Sequence, residues 1–231
     1  GYSSAEGTLL QGMAEGKDWS QSLESDPPAL RWASERAADW LVALQRVVVS
    51  GCESPTKDGF EVKRFAAELE AAYPEWRPRL HDLAGVLAGR LAGEGGDAVA
   101  SHGDYHPKNI FVAPIVTTVI DFDTFAQRRP AYDVGYAIGQ LLIMSYFRTA
   151  SFGAGVSASR AFWARYREEG GPANWSDVST HVCRTLMQSL HYELCTLRNG
   201  RIGLLELCPG LAQLLLCNDG EEALENTVRN L

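Results

Sequence analysis

The sequence predicts an α+β protein that is mainly helical. Two observations carry this. Apolar residues recur at three- and four-residue intervals through most of the 231 residues, the spacing that gathers them on one face of a helix. The exception is Ser101 to Asp133. There a polar loop, His102-Gly103-Asp104-Tyr105-His106-Pro107-Lys108-Asn109, precedes two short apolar runs, Ile110-Phe111-Val112 and Thr117-Thr118-Val119-Ile120. A turn at Ala113-Pro114 separates the runs and the second ends on Asp121-Phe122-Asp123, the pattern of a small β-hairpin with its polar residues at one end.

Taken in order, residues 2 to 13 read as a strand (Tyr2 to Ala5), a tight turn at Glu6-Gly7 and a second strand (Thr8 to Met13). Ala14 to Asp18 is expected as a loop. Pro27-Pro28 opens a long helix, with Leu30, Ala33, Ala37, Trp40, Leu41, Leu44, Val47 and Val48 on one stripe. After a polar loop from Ser50 to Gly59, helices are expected from Phe60 to Tyr73 and from Pro78 to Leu91, divided by Pro74. The Gly-rich connector Ala92 to Asp97 delivers Ala98-Val99-Ala100 to the polar loop. Asp123 to Arg129 is expected as a loop. Pro130 sets the start of a helix whose first turn carries Asp133, where a carboxylate suits the helix dipole. A loop from Phe147 to Gly155 and a helix bearing Phe162, Trp163 and Tyr166 follow, and Gly170-Gly171-Pro172 stops that helix. A long helix from Trp175 to Leu197 ends at Asn199-Gly200. Pro209-Gly210 is expected to interrupt the next apolar stretch, and Asp219 to cap a last helix reaching Val228.

The chemistry lies in the polar loop and the hairpin. If the two runs pair, Asp104, Asn109 and Asp121 converge at the hairpin's mouth. Carboxylate and amide oxygens suit a hard cation such as magnesium, which is shared with substrate phosphates. A carboxylate beside it, free to accept a proton from a hydroxyl, completes a phosphoryl-transfer site. The same residues admit a second reading, a zinc or two-metal hydrolase cluster of His102, Asp104, His106, Asp121 and Asp123. That reading leaves Asn109 idle and lacks a further metal-spaced His or Cys pair. His181 and His191 lie on a helical pattern and are expected as satisfied helix residues.

The pattern His102-Gly103-Asp104, four residues, Asn109, then a hairpin ending Ile120-Asp121-Phe122-Asp123 and a helix start at Pro130-x-x-Asp133, resembles the aminoglycoside phosphotransferase and choline kinase superfamily. These are small-molecule kinases with a protein-kinase-like fold. The resemblance implies that Asp104 is the catalytic base, that Asn109 and Asp121 hold Mg2+, that His102 and Asp133 brace the loop, and that Lys108 lies beside the phosphate. It implies ATP as co-substrate and a hydroxyl of a small acceptor, a cationic one included, as the group phosphorylated. It also divides the chain: 17–231 as the helical carboxy-terminal lobe with its catalytic loop at 101–123, and 1–16 as a remnant of the amino-terminal lobe's last hairpin and hinge. The hinge backbone at Gln11, Gly12 and Met13 then faces the adenine. In this family the acceptor lies between the catalytic loop and the late helices. Asp123, Glu168, Glu169 and Glu193, with the aromatics Trp163, Tyr166 and Tyr192, are therefore candidates for its pocket. The family's amino-terminal lobe, with its phosphate-gripping Lys, does not fit in the about ten residues before the hinge. A non-catalytic, pseudokinase-like binding module is accordingly the alternative.

Composition bounds the partners. Hydrophobic content of 45% and charged content of 22% are those of a globular protein, with room for one large domain or two small ones. A net charge of −8 argues against nucleic acid as a partner. Cys52, Cys183, Cys195, Cys208 and Cys217 match neither a metal knuckle nor a disulfide scaffold, and a reducing cytoplasm is expected. No apolar run reaches the roughly 18 residues of a membrane span, and no signal peptide is visible. The first residue is Gly1 rather than Met, as expected of a processed, tagged or truncated product. Arg128 and Arg129 are expected to be solvated or paired with nearby acids.

Overall fold

The computed structural model describes residues 2–3, 8–9, 12–50, 58–217 and 223–224. A short antiparallel pair, β1 (Tyr2–Ser3) and β2 (Thr8–Leu9), is followed by β3 (Lys17–Asp18), a 3₁₀ turn at Trp19–Glu24, and helices α1 (Pro27–Gln45), α2 (Asp58–Ala72) and α3 (Arg77–Gly93). β4 (Val99–Ser101) leads into the polar loop, β5 (Ile110–Val112) and β6 (Thr117–Val119) form the hairpin, and β7 (Ala126–Arg128) precedes α4 (Ala131–Thr149). Then come α5 (Gly153–Glu168), α6 (Trp175–His191), a π-helical turn at Tyr192–Thr196 and α7 (Leu204–Cys217).

The helices form where their caps and apolar stripes say they should. Asp26 caps α1 by accepting the Ala29 N–H at 3.0 Å, with proline filling the first helical positions. Leu30, Ala33, Ala37 and Leu41 bury one face of α1, which packs on α5. The helix stops at Gln45, before Val47 and Val48, which were expected to extend the stripe. Val48 is 96% exposed. The β-branched run is a poor helix former, and the Val49 carbonyl accepts from Gln127 Nε2 at 2.6 Å.

α4 is the central helix. Ala131 to Gly139 are buried without a break, and α4 packs against both α5 and α6; a helix apolar all round belongs inside a fold. Its approach to α6 depends on Gly135, where an added Cβ would stand 2.8 Å from the Val178 carbonyl oxygen. Gly135→Ala is expected to lower stability by about 2–3 kcal/mol through overpacking. The check is a lower denaturant midpoint at unchanged m-value.

Several loops expected from the sequence are ordered by long-range pairing. Lys17 and Asp18 pair antiparallel with Val112 and Phe111, adding β3 to the hairpin. Ala126 to Arg128, expected as loop, pair with Val99 to Ser101. β1 and β2 pair as anticipated, Tyr2 opposite Leu9 and Ser3 opposite Thr8. Their turn lies outside the described residues, and Gly12 and Met13 are coil rather than strand. The expected loop from Phe147 to Gly155 shrinks to three residues, because α4 runs on to Thr149 and ends on Ala150 in the left-handed region (φ 53). Pro209 sits inside α7 instead of interrupting it; Leu205, Leu211 and Leu215 are fully buried along that helix, and their burial outweighs one missing N–H. The cap expected at Asp219 lies outside the described residues, as does Cys52. No helix among the described residues is long and apolar enough to cross a membrane.

Candidate active site

The polar loop runs from the end of β4 to the start of β5, and each end is tied down by buried groups. Asp133, in the first turn of α4, accepts the His102 N–H at 2.8 Å and the Gly103 N–H at 2.9 Å. Burial pushes its carboxyl above the ordinary carboxylate value, and the two N–H donors act against that shift. Gly103 has φ +83, and a Cβ there would stand 2.8 Å from Thr124 Oγ1; only glycine fits this turn. Thr124 Oγ1 donates to the His102 carbonyl at 3.1 Å.

Both ring nitrogens of His102 are committed. Nδ1 accepts the Asp104 N–H at 3.3 Å, which leaves Nε2 to donate to the Ile120 carbonyl at 2.9 Å. His102 therefore joins the loop to the far end of β6 and has no lone pair left for a metal. His106 Nδ1 accepts the Lys108 N–H at 3.2 Å. Its burial holds the imidazole below its ordinary value, although Asp104 pulls the other way. Among the described residues no group of three or more His, Cys, Asp and Glu is placed to hold a metal ion, so the hydrolase cluster does not assemble.

Asp104 and Asn109 meet directly. Asn109 Nδ2 donates to the Asp104 backbone oxygen at 3.1 Å and to its Oδ2 at 3.2 Å. That turns the Asn109 amide oxygen away from Asp104, available to another ligand. Across the hairpin Ile120 N–H donates to the Asn109 carbonyl at 3.0 Å, which puts Asp121 one residue beyond the partner of Asn109. Asp121 is exposed and takes φ 69, a conformation that costs a non-glycine residue about 1 kcal/mol or more and clusters at functional sites. The Phe122 ring packs 4.6 Å from the His102 ring and 6.0 Å from Trp40 but stays partly open to solvent, and Asp121 and Asp123 on either side of it are exposed.

Two tyrosines that the sequence reading passed over support the loop. Tyr105 is fully buried and its hydroxyl donates to the Ala37 carbonyl at 2.7 Å, locking the loop to α1. Tyr136 lies beside the Asp104 carboxylate; burial and then that negative charge hold its phenol far above the ordinary tyrosine value, so it stays protonated. A signal for Tyr136 was present: it lies one turn along α4 from Asp133, on the same face.

A cavity of about 680 Å³ opens beside the loop, lined by His106, Lys108 and Tyr136 on one side and by Tyr192, Glu193 and Thr196 of the π turn on the other. π-helical turns are frequent where a helix borders a functional site. Glu193 thus lines the same cavity as the polar loop. Glu168 is not: it pairs with Arg165 at 3.5 Å and lines a separate cavity between α1 and α5. Glu169 pairs with the same arginine at 2.7 Å. Trp163 and Tyr166 belong to the core, so of the three aromatic candidates only Tyr192 reaches the cavity. Met13 is 96% exposed, and Gln11 lies outside the described residues. Arg128 stacks 4.5 Å from the centroid of Tyr132 and Arg129 bonds the Gly96 carbonyl; among the described residues neither forms an ion pair with an acid. His181 Nε2 pairs with Glu94 at 3.0 Å and His191 Nε2 with Glu68 at 2.6 Å; against the expectation of a satisfied histidine, the buried His181 Nδ1 has no hydrogen-bond partner among the described residues.

Two solved structures share this fold at low identity. A choline/ethanolamine kinase family protein from Mesorhizobium loti aligns with 15% identity and a TM-score of 0.60, over 99% of this chain and 76% of its own. A glucosamine kinase in complex with glucosamine, ADP and inorganic phosphate aligns with 19% identity and a TM-score of 0.60, over 91% of this chain and 59% of its own. The chain thus spans about three-fifths of the length of the glucosamine kinase. A search of curated protein sequences finds no match. These likenesses make the fold kinase-like. A family model for phosphotransferase enzymes matches residues 3–175, well over half of the sequence, and the chain belongs to the phosphotransferase enzyme family.

Proposed function

We propose that this chain carries the phosphoryl-transfer site of a small-molecule kinase, in which Asp104 takes the proton from an acceptor hydroxyl and Asn109 and Asp121 supply oxygens to magnesium. The observation that carries the reading is the contact between Asp104 and Asn109 at the mouth of the hairpin, with an open cavity alongside. Residues 17–231 form the helical lobe in this reading, and residues 1–16 border the nucleotide through the hinge at Gln11 to Met13.

The residues fit a hard cation. The amide oxygen of Asn109 is left over after its nitrogen is spent on Asp104, and Asp121 offers an exposed carboxylate held in an unusual backbone conformation. The chemistry that magnesium supplies when bound is neutralisation of charge on the phosphate oxygens. The chain's own residues do the rest. His102 and Asp133 fix the loop, so that the Asp104 carboxylate is oriented before any acceptor arrives. The protonated Tyr136 phenol, close to that carboxylate, steadies its negative charge. Lys108, exposed at the cavity edge, is placed to approach a transferring phosphate. The similarly folded glucosamine kinase holds ADP and inorganic phosphate, which supports ATP as the co-substrate.

Calorimetry with magnesium and ATP tests the metal assignment. Asp121→Asn is expected to weaken nucleotide binding about tenfold or more in magnesium, and to change it little without the metal. Equal affinity of the two proteins in magnesium would remove Asp121 from the site.

A further inference from the structure

The cavity beside the catalytic loop also carries information about the acceptor. An ammonium-bearing molecule is held by an uncommitted carboxylate or by an open aromatic face. Glu61 and Glu193 are the carboxylates among the described residues that line this cavity. Glu61 Oε2 takes a hydrogen bond from Arg184 Nη2 at 3.1 Å, and that guanidinium is only 4% exposed. Glu193, with its side chain 12% exposed, faces Arg201 Nη1 at 3.6 Å and accepts from Asn199 Nδ2. Two of the aromatic rings, Phe147 and Phe65, are covered in the same way, while no cation among the described residues lies over Tyr136 or the half-exposed Tyr192. The Arg201 guanidinium lies 4.1 Å from the centroid of Phe147, and Arg64 lies 4.7 Å from that of Phe65. The protein's own cations therefore occupy both carboxylates and two of the four tyrosine and phenylalanine rings that could hold a substrate cation. The cavity's other polar lining combines amides and hydroxyls, among them Gln140, Gln188, Ser189 and Thr196, with the cations Arg64 and Lys108, which repel an ammonium.

We infer that the acceptor is an uncharged polyhydroxy compound, a sugar or polyol, and that Arg201 closes the cavity to ammonium-bearing acceptors by covering both Glu193 and Phe147. Calling this molecule the acceptor rests on the kinase reading above; what the cavity binds does not. A volume of about 680 Å³ accommodates such a molecule.

The test separates binding from transfer. Saturation-transfer NMR on the full chain compares ammonium-free sugars and polyols with choline, ethanolamine and an aminoglycoside. Phosphorus NMR with magnesium and ATP is then recorded on the same samples. The neutral panel is expected to bind and the ammonium panel to give no signal. Arg201→Ala is expected to raise affinity for the ammonium compounds about tenfold; Arg201→Gln, which keeps more of the stem, serves if the alanine variant fails to fold. Preferential binding of the ammonium panel to the unaltered chain, or failure of every neutral compound to bind, overturns the inference. Neutral compounds that bind but are never phosphorylated leave the inference standing and count against the kinase reading instead.

Discussion

Asp104→Asn is expected to reduce phosphoryl transfer by about 10³-fold or more while leaving the fold in place. The loss lies in the upper half of the range for removing a general base, because the acceptor hydroxyl has no other carboxylate poised within the loop. The fold survives because Asp104 holds the loop mainly through its backbone. Its N–H donates to His102 Nδ1, and its backbone oxygen accepts from Asn109 Nδ2 at 3.1 Å. An asparagine at 104 keeps both contacts and still offers Asn109 an amide oxygen in place of Oδ2. The change in unfolding free energy is therefore expected to stay below about 1 kcal/mol. The measurement is the initial rate of ADP release with a responding acceptor, paired with a denaturant melt of each protein. Turnover within tenfold of the parent would show that the proton leaves by another route.

What the sequence made legible is what depends on neighbours in the chain. The spacing from His102 through Asp104 to Asn109 foretold a loop whose Asp and Asn meet, because five residues with a proline among them can fold back in a single turn. The apolar stripe of α1 from Leu30 to Leu41 foretold which face of that helix is buried. The elements that stayed hidden depend on partners far away in sequence. Ala126-Gln127-Arg128 has no strand signature, and becomes β7 only because β4 offers it hydrogen bonds. Lys17-Asp18 is β3 for the same reason. Glu168 and Glu193 looked alike as acidic residues on late helices, yet one is drawn to Arg165 and the other to the cavity. That difference arises from how α5 and α6 pack around α4, which periodicity does not encode. Tyr136 was missed although its helical spacing from Asp133 was readable, since an apolar-looking helix invites a reading as core alone.

Asp133→Ala is expected to be the most destabilising single substitution in the site, by about 3–4 kcal/mol. The carboxylate is buried and accepts two backbone N–H groups, those of His102 and Gly103. Removing it orphans both donors, and each buried unsatisfied donor costs about 1–3 kcal/mol. The loop has no cheap alternative. His102 is held at both ring nitrogens, and Gly103 is wedged against Thr124 in a backbone conformation that leaves no space to turn toward water. Against a total stability of about 5–15 kcal/mol, such a loss shows as a large fall in denaturant midpoint. Asp133→Asn separates the two effects of the carboxylate, its shape and its acceptor pair. Its amide oxygen still serves one N–H, but its NH₂ must face the other, donor against donor. The asparagine variant is therefore expected to fall between alanine and the parent in stability. Where either protein remains folded, transfer is expected to drop by about 10²-fold, the cost of a misplaced catalytic group. A melt of Asp133→Ala within about 1 kcal/mol of the parent would mean that the loop holds its shape without this acceptor, and that Asp133 is not what orients Asp104.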